Sequence, residues 1–328
     1  MESLRLFTIL LASATACAKS CAQLGLPGLS NNSNNNVDTS DNQQDTGEDD
    51  TADTADTGPI DTGPPAACPQ PEVEPNDSRS SPQAVVMEKW ICGDIALAAD
   101  QDVFTTPGPA YDAWVRVQVR AADIGSFANL SLSFYDDDED YTAYGIFQPE
   151  STDPMLIVPV KGGLTWFAAL NDQYGSYGDN NHWQMLISEE KPPIEWTTEE
   201  IEDNNGYTTG TPIESGDRVW AVLDTPFGAD QDWFQITIPD DGLSYTVHLR
   251  TDAWNYGSPS NMFLELYDPE LNRKKAKDNG AYSYDLDAAI DYTVSTPGTW
   301  YVRAKSSVDA VGPLYWYVLD YELEPVTE

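Results

Sequence analysis

The chain is poor in the residues that most often do chemistry. Its 328 residues include two histidines and four cysteines. His248 lies between the apolar Val247 and Leu249, and His182 precedes Trp183 in a polar loop. Neither has a metal-ligand partner at useful spacing, and His-Glu-x-x-His is absent. There is no Gly-x-Ser-x-Gly elbow and no glycine-rich phosphate loop leading into a helix. Carboxylates abound, so inventory alone does not exclude a glycosidase pair, but that inventory would make every acidic chain a glycosidase. These absences predict a protein that is not an enzyme. Positive charge is equally scarce: 16 Lys and Arg face 55 Asp and Glu, a formal net charge of −39. Such a chain is repelled by nucleic acid and by anionic lipid surfaces. Its surplus of carboxylate oxygens suits hard divalent cations, although acidity also keeps an exported protein soluble without any ion.

Long apolar runs are missing as well. Leu6 to Ala16, directly after Arg5, is mostly apolar but falls short of the roughly 20 residues that span a bilayer. It suits the apolar region of a secretion signal covering residues 1–16. The run closes on Ala14-Thr15-Ala16-Cys17. Small residues before a cysteine resemble a bacterial lipobox, which implies an acylated Cys17 and contact with a membrane through a lipid anchor only. Ala14 stands where a lipobox usually has Leu, and Ala14-x-Ala16 also suits ordinary signal peptidase and a released protein. From residue 17 to 67 apolar periodicity is lost. Asn31-Asn32-Ser33-Asn34-Asn35-Asn36 gives way to Asp45-Thr46-Gly47 and Asp61-Thr62-Gly63, with no Lys or Arg between Cys21 and Asp77. Like charges, Gly and Pro predict a disordered acidic linker. Asp-Thr-Gly also occurs in aspartic proteases, but there it needs a tight turn between apolar strands, and here its flanks are Gln, Asp, Ala and Pro.

The rest of the chain is one module used twice. Ala99-Asp100-Gln101-Asp102-Val103-Phe104 returns as Ala229-Asp230-Gln231-Asp232-Trp233-Phe234. Glu74-Pro75-Asn76-Asp77 answers to Glu202-Asp203-Asn204-Asn205, and Trp166 and Trp183 answer to Trp300 and Trp316. A fixed period of this kind marks a repeated architecture. Both copies alternate apolar and polar residues, as at Val115, Val117 and Val119, and again at Tyr245, Val247 and Leu249. That period buries one face of a strand and wets the other. Turn signals such as Gly162-Gly163 and Asp240-Asp241-Gly242 separate the strands. The expected fold is all-β: two tandem antiparallel β-sandwiches of jelly-roll type, at 68–191 and 192–328, joined at Lys191-Pro192-Pro193. Cys68 and Cys92 flank the start of the first module and can pair, stabilising by roughly 3 kcal/mol for such a loop. The second module has no counterpart, and Cys21 is left over.

The acidic residues cluster. Glu72-Val73-Glu74-Pro75-Asn76-Asp77, Gly93-Asp94-Ile95 and Asp100-Gln101-Asp102-Val103-Phe104 together resemble the bacterial pre-peptidase C-terminal domain family. The second module follows with Glu200-Ile201-Glu202-Asp203-Asn204-Asn205 and Asp230-Gln231-Asp232. The resemblance implies β-sandwiches of the kind appended to secreted enzymes or found in surface proteins. It implies calcium at the N-terminal acidic segment, as in bacterial collagenases, and, as in some members, collagen or polysaccharide as ligand. Charge supports the calcium part separately. If the opening segment lies beside the Asp-x-Asp corner, Glu72, Glu74, Asp77, Asp100 and Asp102 repel unless protonated or bridged. Ca²⁺ takes 6–8 oxygens, and Asn76 offers a neutral one. The corresponding set is Glu200, Glu202, Asn204, Asp230 and Asp232, with Asn205 in place of the Asp77 carboxylate. Without an ion, the same residues would be a turn and a solvated strand entrance. Asp136 to Asp140 reads as an exposed acidic loop.

Ten tryptophans remain. Most fall on strands and belong in cores. Trp254 and Tyr256 sit in a loop of small polar residues and are candidates for stacking on a sugar or a protein, unless that loop folds on its own aromatics. The expectation is an exported, surface-held protein with a structural or binding role, and an unidentified protein or polysaccharide as partner.

Overall fold

A computed structural model of the chain describes residues 68–138, 142–147, 151–224, 230–278, 286–308 and 310–327. The expected leader, Cys17 and the linker to residue 67 lie outside them. The structure is all-β and forms two sandwiches. The first holds β1 (Gln70–Pro71), β2 (Gln83–Ala84), β3 (Ile91–Asp94), β4 (Gln101–Pro107), β5 (Ala113–Arg120), β6 (Leu130–Asp136), β7 (Thr142–Tyr144), β8 (Ile146–Phe147), β9 (Pro154–Val160), β10 (Thr165–Asp172) and β11 (His182–Glu190). The second holds β12 (Thr198–Glu199), β13 (Thr211–Pro212), β14 (Arg218–Val222), β15 (Gln231–Ile238), β16 (Tyr245–Asp252), β17 (Met262–Tyr267), β18 (Arg273–Lys277), β19 (Ala289–Val294), β20 (Gly298–Ser306) and β21 (Trp316–Pro325). Among the described residues no helix is long and apolar enough to cross a membrane.

The two bodies share one topology. The first has sheets β1-β3-β11-β5-β9-β8 and β2-β4-β10-β6-β7; the second has β12-β14-β21-β16-β19 and β13-β15-β20-β17-β18. Among the described residues only β8 is additional. The alternating residues face inward as their period requires: Val115, Val117 and Val119 line one core and Val247 and Leu249 the other, all almost fully buried. Each module also opens with two short parallel pairings, β1 with β3 and β2 with β4, then β12 with β14 and β13 with β15. Two-residue strands carry no readable period, so the sequence pattern does not disclose them. Their effect is decisive, because the chain crosses from one sheet to the other over the end of the sandwich. Residues 72–82 and 200–210, which include the acidic openings, make that crossing.

One residue pairing differs from the sequence reading. Trp183 lies opposite Gly93, and Tyr317 lies opposite Ala221 on the same two strands of the second sandwich. Trp183 therefore answers to Tyr317, not to Trp316. A shift of one residue in a strand reverses the face, and Trp316 points out of its own core.

It points into a third, smaller core between the sandwiches. Ile194, Trp316 and Val318 are buried there against Trp114, Trp220 and Val222. The Trp316 indole N–H donates to the Ile157 carbonyl at 2.7 Å, and the Ile157 N–H donates to the Gly257 carbonyl at 2.8 Å. Gly257 has φ of 90°, and a Cβ there would stand 2.9 Å from the Ile157 side chain. Leu314, from the second module's chain, is buried in the first module's core. Trp→Ala in such a setting costs about 3–5 kcal/mol. Scanning calorimetry of the full chain is expected to show one transition, split into two by Trp316→Ala combined with Gly257→Val; an unsplit profile would mean that the sandwiches are coupled elsewhere.

Candidate metal centres

Asp102 is the second residue of β4, two before Phe104, and Asp232 stands likewise two before Phe234 in β15. Period two therefore puts each carboxylate on the core face, and both are fully buried. Core partners receive them. The Trp183 indole N–H donates to Asp102 Oδ2 at 3.0 Å, and the Tyr317 hydroxyl donates to Asp232 Oδ2 at 2.6 Å. Each uses one oxygen; Oδ1 of Asp102 and Oδ1 of Asp232 are buried and accept no protein hydrogen bond.

The opening segment covers this end. In the first module the Glu72 N–H donates to the Cys92 carbonyl at 2.8 Å, and the Val103 N–H donates to the Asn76 carbonyl at 3.1 Å. The Asn76 amide donates to Glu72 Oε1 at 3.0 Å, and its backbone N–H to Glu74 Oε2 at 2.9 Å. The second module repeats these contacts. The Glu200 N–H donates to the Trp220 carbonyl and the Trp233 N–H to the Asn204 carbonyl. The Asn204 amide donates to Glu200 Oε2 and its backbone N–H to Glu202 Oε2. Both asparagines are fully buried, and the Oδ1 of each is again without a protein donor. The disulfide Cys68–Cys92 ties the start of this segment to β3.

The carboxylates converge in two overlapping groups per module. Ligand oxygens of Glu72, Glu74 and Asp102 lie within 4.8 Å of one another, as do those of Glu74, Asp77 and Asp100. In the second module the groups are Glu200, Glu202 and Asp232, then Glu202, Asp224 and Asp230. Oxygens bound to one Ca²⁺ at about 2.3–2.6 Å lie no more than roughly 5 Å apart. Asn205 does not replace Asp77 in the second centre; its side chain is engaged by Asp203 and by the Gln231 N–H. Asp224 supplies the carboxylate instead. It follows Leu223 at the end of β14, where the first module has Ala96. Sequence reasoning missed it because the replacement comes from a different strand, although aligning Gly93-Asp94-Ile95-Ala96 with Ala221-Val222-Leu223-Asp224 exposes it. The second centre thus has as many carboxylates as the first.

Steric space was exchanged in the same way. A Cβ on Gly93 would lie 2.4 Å from Trp183 Cζ2 and collide with the Glu72 carboxylate as well. The second module has Ala221 there, with the smaller Tyr317 opposite. Glycine admits the indole, and phenol admits the methyl.

Burial and mutual repulsion both oppose ionisation. Burial, then the neighbouring Glu72, Asp100 and Glu74, push Asp102 up to about 10. Burial above all, with Glu202 and Asp230 adding charge, pushes Glu200 up to about 8. Asp232 is raised well above the usual carboxylate range, chiefly by burial. Glu74 and Glu202 are raised more mildly, again by burial first. All donors are oxygen, four of them buried and unsatisfied, so the residues present fit a hard cation such as Ca²⁺.

The other expected sites are placed differently. Trp254 and Tyr256 form a one-turn 3₁₀ helix at Trp254–Tyr256, held by Asp287, which accepts from the Ala253 and Trp254 N–H groups. Trp254 is half-buried, Tyr256 is exposed, and Gly257, the residue after the helix, docks on Ile157. The first module holds Ala122–Ile124 in the same way, with Asp153 accepting from the Ala122 and Asp123 N–H groups. In the acidic run, Asp136 is buried, Asp137 and Asp138 are exposed, and the remainder lies outside the described residues.

Fold and site together define an all-β protein of two fused sandwiches, each with a carboxylate centre at the equivalent end. Residues 230–306 match the bacterial pre-peptidase C-terminal domain. The match lies within the second sandwich and runs from β15 to β20. Among curated proteins no sequence matches the chain. Similar solved structures include the pre-peptidase C-terminal domain of a collagenase from Bacillus anthracis, 13% identical, covering 32% of this chain and 92% of that one, with a TM-score of 0.26. Another is the tandem CBM51 modules of a family 98 glycoside hydrolase from Streptococcus pneumoniae, 10% identical, covering 73% and 85%, with a TM-score of 0.23.

Carboxylates with folded values raised above the unfolded value of about 4 stabilise fully below that pH and lose stability as pH rises through the raised values. In chelator, the melting temperature is expected to fall steadily from pH 5 to 9; a flat profile would contradict buried, unbridged Asp102 and Glu200. Gly93→Ala is expected to lower it at any pH, and the added Trp183→Tyr to restore most of the loss. Failure of that rescue would show that the two positions do not share one space.

Proposed function

We propose that the chain is an exported, non-catalytic structural or binding protein. In this reading calcium bridges the carboxylates at one end of each sandwich, and the first sandwich is a second copy of the pre-peptidase C-terminal domain. The observation that carries the calcium reading is the buried, unsatisfied oxygen of Asp102 and Asp232, aimed into groups of carboxylates that cannot all ionise without a counter-charge. Glu72, Glu74, Asn76, Asp77, Asp100 and Asp102 would hold the ion or ions in one module. Glu200, Glu202, Asn204, Asp224, Asp230 and Asp232 would do so in the other. The cation supplies charge neutralisation that pins the crossing segment to both sheets, and no reaction. The matched domain class fits a non-catalytic module, and the scarcity of histidine and of nucleophile motifs agrees with it. Cys17 as an acylated anchor, and a protein or polysaccharide at the cell surface as partner, complete the proposal.

Calorimetric titration of chelator-treated full chain should give saturable heat at millimolar calcium or below. Stabilisation at a hundredfold excess over Kd is about 2.7 kcal/mol per independent site. Asp102→Asn and Asp232→Asn separate an ion site from a merely structural carboxylate. Each is expected to match or exceed the parent in chelator, since a buried acid is removed, while losing its module's share of the calcium response. No calcium-dependent heat or melting shift in the parent would sink the reading. For the anchor, Cys17→Ser is expected to abolish labelling by radioactive palmitate in cells; labelling that persists would place the lipid elsewhere.

A further inference from the structure

A cleft of about 620 Å³ opens where the sandwiches meet. That is within the range of small-molecule sites, roughly 300–1,000 Å³. One side is aromatic and drawn from both bodies and the joint: Trp114 at the start of β5, Trp196 before β12, and Trp220 in β14. Trp196 lies 5.8 Å from Trp220, nearly parallel at 28°, and 6.3 Å from Trp114. Trp316 meets Trp114 edge-on at 5.0 Å from behind, so the small inter-sandwich core fixes the rings. All three lining indoles are half-buried. The other side presents Glu200, Glu202 and Asp224. Glu202 and Asp224 are exposed members of the outer carboxylate group.

Among the described residues, only the second module's carboxylate centre faces these tryptophans. The first module takes its third carboxylate from Asp77, and no tryptophan lines the cavity beside Asp100. In the second module that carboxylate comes from Asp224, on the wall of the cleft. The exchange of Asp77 for Asp224 thus turns the outer group toward the tryptophans.

We infer that the cleft between the sandwiches is a calcium-dependent binding site for a glycan, with a sugar ring against Trp196 and Trp220 and its hydroxyls toward Glu202 and Asp224. The inference rests on the calcium reading of that centre. A pyranose offers an apolar C–H face to an indole and adjacent hydroxyls to polar groups, which matches one aromatic and one polar wall. Ca²⁺ accepts 6–8 oxygens, and three carboxylates leave room for hydroxyl oxygens. Phosphorylated ligands are disfavoured by Asp112, Glu199 and the carboxylate wall, against Lys161 alone among the basic residues of the cleft. Lys161 is itself paired with Asp112 at 2.9 Å.

The test begins by confirming calcium binding to the full chain and to Trp196→Ala by calorimetry. Both are then applied to an array of bacterial, plant and animal glycans in 5 mM calcium and in chelator, and hits are titrated. The parent should bind a glycan in calcium and lose it in chelator. Trp196→Ala should keep its calcium heat and its calcium-induced rise in melting temperature yet bind the glycan at least about tenfold more weakly, as loss of an aromatic contact of roughly 1.4 kcal/mol predicts. Trp196→Phe should recover part of that loss. Calcium binding without any glycan hit overturns this inference and leaves the calcium reading standing. Glycan binding that survives chelator or Trp196→Ala overturns it too, as does tetramethylammonium binding in competition with calcium, which would make the cleft an organic-cation site. Absence of calcium heat overturns both.

Discussion

An aspartate on the core face of a strand is the constraint from which the ends of both sandwiches follow. Asp102 and Asp232 occupy positions where the strand period calls for an apolar side chain. A buried carboxylate needs donors, and an isolated charge in such a place costs several kcal/mol. Trp183 and Tyr317 reach across from the opposite sheet to satisfy one oxygen each. The other oxygen is turned toward the crossing segment. That segment brings further carboxylates instead of donors, so the end of each sandwich is left short of positive charge. The hydrogen bonds of Asn76 and Asn204 hold this arrangement together, because each fastens two glutamates to the strand that bears the aspartate.

The chain also contains its own comparison. Two copies of one topology reach the same carboxylate arrangement by different residues. Trp183 with Gly93 is matched by Tyr317 with Ala221, and Asp77 with Ala96 is matched by Asn205 with Asp224. In the first exchange, space given up on one strand is taken up on its neighbour. In the second, a carboxylate lost from the loop reappears at the end of an adjacent strand. What stays fixed is the number of carboxylates and the position of the buried acid, which identifies them as the physical requirement and the surrounding residues as adjustable.

Much of the fold was legible because antiparallel strands with one wet face write their period into the sequence. Val115 to Val119, Leu130 to Phe134 and Met262 to Leu266 announce both their strand state and their inward face. The acidic openings were legible as a repeat. The two-residue parallel pairings were not, since no period fits in two residues, and they are what place the openings over the sandwich ends. Asp224 escaped because its partners, Glu202 and Asp230, come from two other segments of the chain. Trp316 was matched to the wrong residue by identity of side chain, where strand register decides. The tryptophans of the junction were expected in cores of their own modules; which outward faces meet is a matter of tertiary geometry that alternation cannot express. Trp254 read as a loop aromatic and lies in one; what alternation does not disclose is that this loop ends in Gly257, the residue that lets the sandwiches touch.

The bridge between Cys68 and Cys92 has a mechanical meaning. It closes a covalent loop, 24 residues apart in sequence, that contains Glu72, Glu74, Asn76 and Asp77. Tension arriving from the N-terminal side enters at Cys68 and leaves through sulfur to Cys92, in the body of a sheet. The acidic crossing lies off that line of force and cannot be stretched while the bridge is intact. The second sandwich has no such bridge and begins instead at a packed junction, where Ile194 and Trp316 carry the load by shared burial. A pull from the N-terminal side would therefore bypass Glu72, Glu74, Asn76 and Asp77.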